Sequence, residues 1–311
     1  MVGSVFDLFQ FGNKLVHLRQ LIKSTFFKEF TYPRNLMKVA TCRYAGAIRA
    51  AVDDGDALYL LPPGFDALAA LRNPHAASQP GGSHVQFADV QFLPPILAPE
   101  KILCVGINYR DHAAESSQVD EPKFPSLFAR FPSSQVGHRQ PIVAPAISEK
   151  FDYEGELAVV IGQSAWRVSR GDALRYVAGY SCFAENSVRD FQNHARQVTA
   201  GKNFLASGAF GPWITSADEV GDPASLTLTT RLNGEAVQHA ALSSLIFPVD
   251  ALIAYISQFT CLMPGDVIST GTPAGVGALR HPPLWMKPGD FLEVDIPRVG
   301  LLQNRVAAEL H

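Results

Sequence analysis

The sequence predicts a β-dominated α+β protein, and three observations carry that expectation. Five segments after residue 100 read as strands: "KILCVG", "GELAVVIG", "SLTLTTRLNG", "DVISTG" and "DFLEVDI". Each is short, rich in apolar and β-branched residues, and bounded by turn formers. Pro-Gly-Asp turns punctuate them at 264–266 and 288–290. Neither a βαβ rhythm nor an internal repeat is evident.

The elements follow in chain order. Residues 1–36 are rich in Phe, Leu and Lys, and "MKVATCRYAG" reads as a fresh start at Met37. Lys14, Arg19, Lys23 and Lys28 suit a transit peptide, whereas Asp7 and Glu29 count against one. A dispensable extension is expected there. Between 37 and 95, "KVATCRYAGAIRAAV" and "ALYLLP" read as strands and "FDALAALRN" as a helix, followed by a "SQPGGS" loop. That pattern suggests a small N-terminal domain over 37–95 and a larger domain over 96–311. Within the larger domain three helices are expected. They are "GDALRYVAGY" with Gly179 as its stop, "SVRDFQNHARQ", and "PVDALIAYISQF" with Pro248 at a favourable first position.

Composition narrows the function classes. A 311-residue chain with 47% hydrophobic and 18% charged residues can bury a substantial core and is not disordered. A net charge of −3 with no basic run argues against nucleic acid or a membrane surface as partner. The most apolar stretch, "SSLIFPVDALIAYISQFTCLM", is broken by Pro248, Asp250 and Gln258 and fails as a membrane span. Cys42, Cys104, Cys182 and Cys261 are widely spaced, with no CxxC pair, as expected of reduced thiols in a cytoplasmic protein.

The chemistry starts with "FDYEGELAVVIG", residues 151–162. Strand alternation puts Asp152, Glu154 and Glu156 on one face, where like charges repel. Glu154 and Glu156 are close enough to ligate one hard cation; magnesium, manganese and calcium take such oxygen ligands. A solvated strand face is the alternative, but the Ala158–Ile161 run points to the interior, where unpaired carboxylates are costly. Glu185, in "GYSCFAENSVRD", offers a third carboxylate, or a helix-start acid favoured by the dipole.

Three other stretches carry polar groups of interest. In "VGINYRDHAAE", helical spacing would set His112 beside Glu115, either as a surface pair or as a base oriented by a carboxylate. Lys202, in "TAGKNF", suits either an oxyanion contact or ordinary surface charge. "STGTPAGVG" at 269–277 fits neither GxGxxG nor the P-loop. It is either a tight turn or a loop presenting N–H groups and the Thr272 hydroxyl to a carboxylate.

Taken in order, "GINYRDHAAE", "DYEGELAVVIG", "GYSCFAENSVRDFQ", "GK" and "ISTGTPAGVG" resemble the fumarylacetoacetate hydrolase family over residues 100–300. The resemblance implies a mixed β-sandwich roll with a small N-terminal domain, usually as a homodimer. It implies Mg2+ or Mn2+ on Glu154, Glu156 and Glu185, a lid bearing the water-activating pair His112 and Glu115, and Lys202 as a catalytic cation. Arg189, Gln192 and Thr272 match substrate-binding positions. Two positions depart from the common pattern: Glu185 stands where Asp is usual, and Arg130 where Lys is usual. The fork of Arg130 suggests a carboxylate partner, which places it among the substrate contacts.

The implied activity is metal-dependent hydrolysis of a C–C bond in a 2-oxo acid of the acylpyruvate or fumarylpyruvate type, in the catabolism of aromatic compounds or related oxo acids. The alternative is a decarboxylase or isomerase of a dioate such as oxaloacetate or 2-hydroxyhepta-2,4-diene-1,7-dioate. A non-catalytic binding protein stabilised by its metal is the reading from another class.

Overall fold

A computed structural model describes residues 37–77, 82–115 and 121–310; the extension expected at 1–36 lies outside them. Lys38–Tyr44 and Ala47–Asp53 pair as a hairpin in which Tyr44 faces Ala47. Its two-residue turn, Ala45 and Gly46, has positive φ at both positions, the geometry that matches the twist of a hairpin. Strands Leu58–Leu60 and Ser83–Val85 extend that edge. On the other side, Lys38–Tyr44 pairs with Gly208–Ser216, and the sheet runs on through Val177–Ala184, Gly155–Ile161, Val267–Ser269, Ile102–Gly106 and Ser126–Arg130. Strands from 37–95 and from the later chain therefore share one twelve-stranded sheet.

A second sheet of five strands runs in the order Glu235–Ala241, Thr227–Leu232, Phe291–Ile296, Gly300–Ala308 and Ile142–Ala144. It packs on one face of the large sheet. Leu157, Val159 and Ile161 share a core cluster with Leu228, Leu232, Leu292 and Val294 of the second sheet. Ala158 and Val160 belong to another cluster on the opposite face, with Ala67, Ala70 and Leu71 of the Ala67–Arg72 helix. Burial on both faces explains why Leu157–Ile161 reads as an unbroken apolar run instead of an alternating one.

Among the described residues the helices are few and short, and none is long and apolar enough to cross a membrane. The expected helix after Pro248 forms over Val249–Ile256. "FDALAALRN" forms Ala67–Arg72, capped by the Asp66 side chain, which accepts from Ala69 N at 2.6 Å. Two expectations change. "GDALRYVAGY" makes a 3-10 turn over Arg170–Tyr176 and then enters the Val177–Ala184 strand, with Gly179 inside it. A Cβ at Gly179 would lie 2.2 Å from Thr215 O, so the glycine serves close strand approach and not a helix stop. In "SVRDFQNHARQ" only Arg189–Gln192 is helical.

Candidate active site

Strand pairing brings the three glutamates together. Gly155 faces Ala184 across the ladder, so the next residues out, Glu154 and Glu185, meet at the end of the pair, and Glu185 N donates to Glu154 O at 2.8 Å. Glu156 lies one step inward and turns to the same side as Glu154. The residue between them must be small. A Cβ on Gly155 would come within 2.0 Å of Thr230 Oγ1 in the second sheet. All three carboxylates are buried, with oxygens within 4.8 Å of one another.

Each acid has its own set of partners. Glu156 Oε2 accepts from Ser269 Oγ at 2.6 Å and from Gly271 N at 2.7 Å. Glu154 Oε1 accepts from Ser187 Oγ and from Lys202 Nζ, the latter at 3.0 Å. Glu185 Oε1 accepts from Arg130 Nη1 at 2.8 Å, and its Oε2 accepts from Lys202 Nζ. Arg189 Nη2 lies 3.1 Å from Glu154 Oε1, an ion contact outside hydrogen-bond alignment. Arg130, Arg189 and Lys202 thus offset charge that the interior would otherwise reject.

The electrostatics separate the acids. Burial works against the charged form of Glu154, yet Arg189 and Lys202, with the hydrogen bonds from Ser187 and Lys202, hold it down at about 2. Burial raises Glu156 well above the usual carboxylate range, and Glu185 and Glu154 add to the rise; Ser269 and Lys202 only partly oppose it. Burial likewise raises Glu185 against the pull of Lys202 and Arg130. Burial disfavours the Lys202 ammonium, but Glu154 and Glu185 outweigh it and raise its pKa. Three buried carboxylates that bring oxygens within 4.8 Å of one another, with only oxygen donors, fit a hard divalent cation.

Glycine and asparagine build the rest. The chain turns out of Ile102–Gly106 through Ile107, at φ 52°, into the helix Arg110–Glu115. Asn108 clamps this corner, donating to Thr270 O at 2.7 Å and Phe247 O at 3.0 Å while accepting from Phe247 N at 2.8 Å. Gly271 passes directly beneath, where a Cβ would lie 2.8 Å from Asn108 Cβ. On the helix, His112 Nδ1 meets Glu115 Oε2 at 3.1 Å, as the three-residue spacing requires. Both Glu115 oxygens also accept from Gly275 N, at 3.1 and 3.2 Å. The Gly275 carbonyl accepts from Tyr153 OH at 3.0 Å and from Arg280 Nε at 3.1 Å.

Several site residues sit differently from the sequence picture. Arg130 is fully buried behind Glu185, which is its carboxylate partner. The Thr272 hydroxyl donates to Gly155 O at 3.0 Å and accepts from Gln238 Nε2 at 2.8 Å. Gln192 accepts from Arg189 Nη1 at 2.9 Å, so these two form a pair. Asp152 leaves the face of the glutamates, because the strand breaks at Tyr153 and Glu154. It is buried behind the cluster, bonded to the arginine that approaches Glu154. Its carboxylate accepts from Arg189 Nε at 2.8 Å, Gly277 N at 2.7 Å and Ala278 N at 3.0 Å. Ser187, Ser269, Asn108 and Gln238 went unnoticed in the sequence, since lone hydroxyls and amides carry no spacing signal.

The model of the fumarylacetoacetate hydrolase C-terminal family matches residues 101–307. The chain is 39% identical over 247 residues to the oxaloacetate tautomerase Fahd2a, mitochondrial, of Rattus norvegicus, covering 79% of this chain and 78% of the relative. Among solved structures, a fumarylacetoacetate hydrolase from psychrophilic Exiguobacterium antarcticum superposes with a TM-score of 0.79 at 34% identity, covering 88% of this chain and 100% of that one. A maleylpyruvate hydrolase from Sphingobium sp. SYK-6, solved with manganese (II) and pyruvate, gives a TM-score of 0.73 at 28% identity over 88% and 100% of the two chains. The chain belongs to the fumarylacetoacetate hydrolase family.

Proposed function

We propose that the protein is a metal-dependent tautomerase that interconverts enol and keto forms of a 2-oxo dicarboxylic acid of the oxaloacetate type. The observation that carries this reading is the 39% identity to the rat oxaloacetate tautomerase across 79% of the chain. It favours the isomerase alternative over the C–C hydrolase that the motifs put first. Magnesium or manganese, with calcium as a third candidate, would be held by Glu154, Glu156 and Glu185. A metal there supplies Lewis-acid stabilisation for negative charge on the 2-oxo oxygen.

The side chains account for the proton transfer at C3, while the 2-oxo oxygen exchanges its proton with solvent. Enolisation breaks one C3–H bond, moves that electron pair into the C2–C3 bond and protonates the 2-oxo oxygen; no water is consumed. His112, held at Nδ1 by Glu115, exchanges the C3 proton through Nε2. Lys202, kept protonated between Glu154 and Glu185, adds positive charge beside the developing oxyanion. Hydrolysis remains the second reading because the maleylpyruvate hydrolase shares the fold at 28% identity. It would ask the same imidazole to activate water.

Enol-rich oxaloacetate mixed with the purified protein and Mg2+ or Mn2+ tests the proposal. The enol absorbance should decay faster than in buffer. The acceleration should vanish with a chelator and in His112→Ala, whose Mn2+ affinity should match the wild type. Pyruvate release from acylpyruvates without any effect on the enol would overturn it in favour of the hydrolase. Carbon dioxide release as the sole reaction of oxaloacetate would make the protein a decarboxylase.

A further inference from the structure

We infer that Arg130 is a positioning residue for the third carboxylate, fixing Glu185 so that a single oxygen, Oε2, faces the cation site, and that it does not touch substrate. The inference rests on the metal reading above.

Arg130 ends the edge strand Ser126–Arg130, where it pairs with Ile102, and its side chain is 0% exposed. Its donors are all directed at the protein. Nη1 reaches Glu185 Oε1 at 2.8 Å, the Glu185 carbonyl at 2.7 Å and the Asn186 carbonyl at 2.9 Å. Nη2 donates to Ser207 Oγ at 3.0 Å, and Nε to Ser134 Oγ at 3.2 Å. The guanidinium thus grips Glu185 at both its backbone and its carboxylate, which fixes a side chain with three rotatable bonds.

The pocket is shaped for this group. Gly208 lies against it, and a Cβ there would be 2.9 Å from Nη2. A lysine, a point charge on a flexible stem, cannot reach Glu185, Ser134 and Ser207 at once. With Oε1 taken by Arg130, Oε2 is the oxygen turned to the cluster, where it accepts from Lys202 Nζ. Glu154 and Glu156 are held otherwise, by Ser187 and Lys202 and by Ser269 and Gly271. With Nε, Nη1 and Nη2 each bonded within the protein and the side chain fully buried, a substrate carboxylate has no open approach to this arginine.

Mn2+ titration of the full-length protein, read by the paramagnetic signal of free Mn2+, tests the inference together with oxalate binding at saturating Mn2+. Arg130→Lys should weaken Mn2+ binding about tenfold, the cost typical of losing a group that orients a ligand. Oxalate affinity should be unchanged. In a Glu185→Gln background the same change should have no further effect on Mn2+, because the arginine acts through that carboxylate. Additive losses in the double variant, or unchanged Mn2+ affinity with weakened oxalate binding, would overturn the inference and return Arg130 to the substrate contacts. Should R130K be insoluble, Ser207→Ala removes one support of the fork. It should still weaken Mn2+ binding, and wild-type affinity in that variant would equally refute the idea. A wild-type protein that binds no Mn2+ would sink the metal reading itself, which is distinguishable from a wild type that binds and an R130K that binds as well.

Discussion

Asp152 shows what one buried carboxylate does beside the cation site. It joins three segments: the Arg189 helix through Nε, the glycine loop through Gly277 and Ala278, and its own chain through Tyr153 N at 2.9 Å. Arg189 in turn approaches Glu154, so Asp152 sets one side of the cluster without joining it. Asp152→Asn removes the charge and turns an NH2 toward groups that are all donors. Breaking a buried pair in this way costs about 3–5 kcal/mol. Urea unfolding of D152N should show a loss of that size, and a loss below about 1 kcal/mol would mean that Arg189 finds another partner. Residue by residue, the glutamates were legible because an acid pair before an apolar run is anomalous on its own. The face of Asp152 was not, because alternation assumes an unbroken strand and this one breaks at Tyr153–Glu154 under tertiary contacts. The fork of Arg130 announced a carboxylate partner, but nothing in the string told a protein carboxylate from a substrate one.

At the scale of elements, the seam between the two sheets carries a buried titratable group, His138. His138 Nδ1 accepts from Gln303 N, in the Gly300–Ala308 strand, at 3.1 Å. Its ring meets Phe92, in the large sheet, edge-on at 5.1 Å. Burial, helped by Arg139, lowers its pKa from 6.5 to about 4. An unfolded His138 therefore takes up a proton at pH values where the folded one does not. Its contribution to stability is whole above pH 6.5 and is lost as the pH falls toward 4. The full span is worth about 3 kcal/mol at 1.36 kcal/mol per unit. Chemical denaturation at pH 7 and pH 4.5 should show a steeper loss for wild type than for His138→Gln, and equal slopes would refute the assignment. Apolar runs that end in turn formers mark some strands of each sheet, as in Phe291–Ile296 and Val267–Ser269, whereas Gly208–Ser216, Glu235–Ala241 and Gly300–Ala308 are not among the expected strands. The apolar strand expected before Glu185 forms, but it starts earlier, at Val177, inside the run expected to be helical, because a short apolar run before a glycine suits either state until a neighbouring strand decides.

Across the whole molecule, the ladder that carries the site begins far from it in sequence. Lys38 pairs with Thr215, and that strand leads through Val177–Ala184 to Gly155–Ile161 and its glutamates. No local pattern encodes a pairing between segments so distant, which is why the sheet's continuity from Lys38 onward stayed hidden in the sequence. The same pairing bears on where the chain can be shortened. Met37 N donates to Ser216 Oγ at 3.3 Å, and Ser216 N donates to Met37 O at 2.9 Å. A protein begun at Met37 keeps these contacts and every strand of both described sheets. Deleting residues 1–36 should leave the melting temperature within about 2 °C, roughly the shift that 1 kcal/mol produces in a domain of this size. Calorimetry of the two chains, paired with the enol assay, checks this. A fall of more than about 5 °C, or loss of turnover at unchanged stability, would show that the first 36 residues serve the fold or the site.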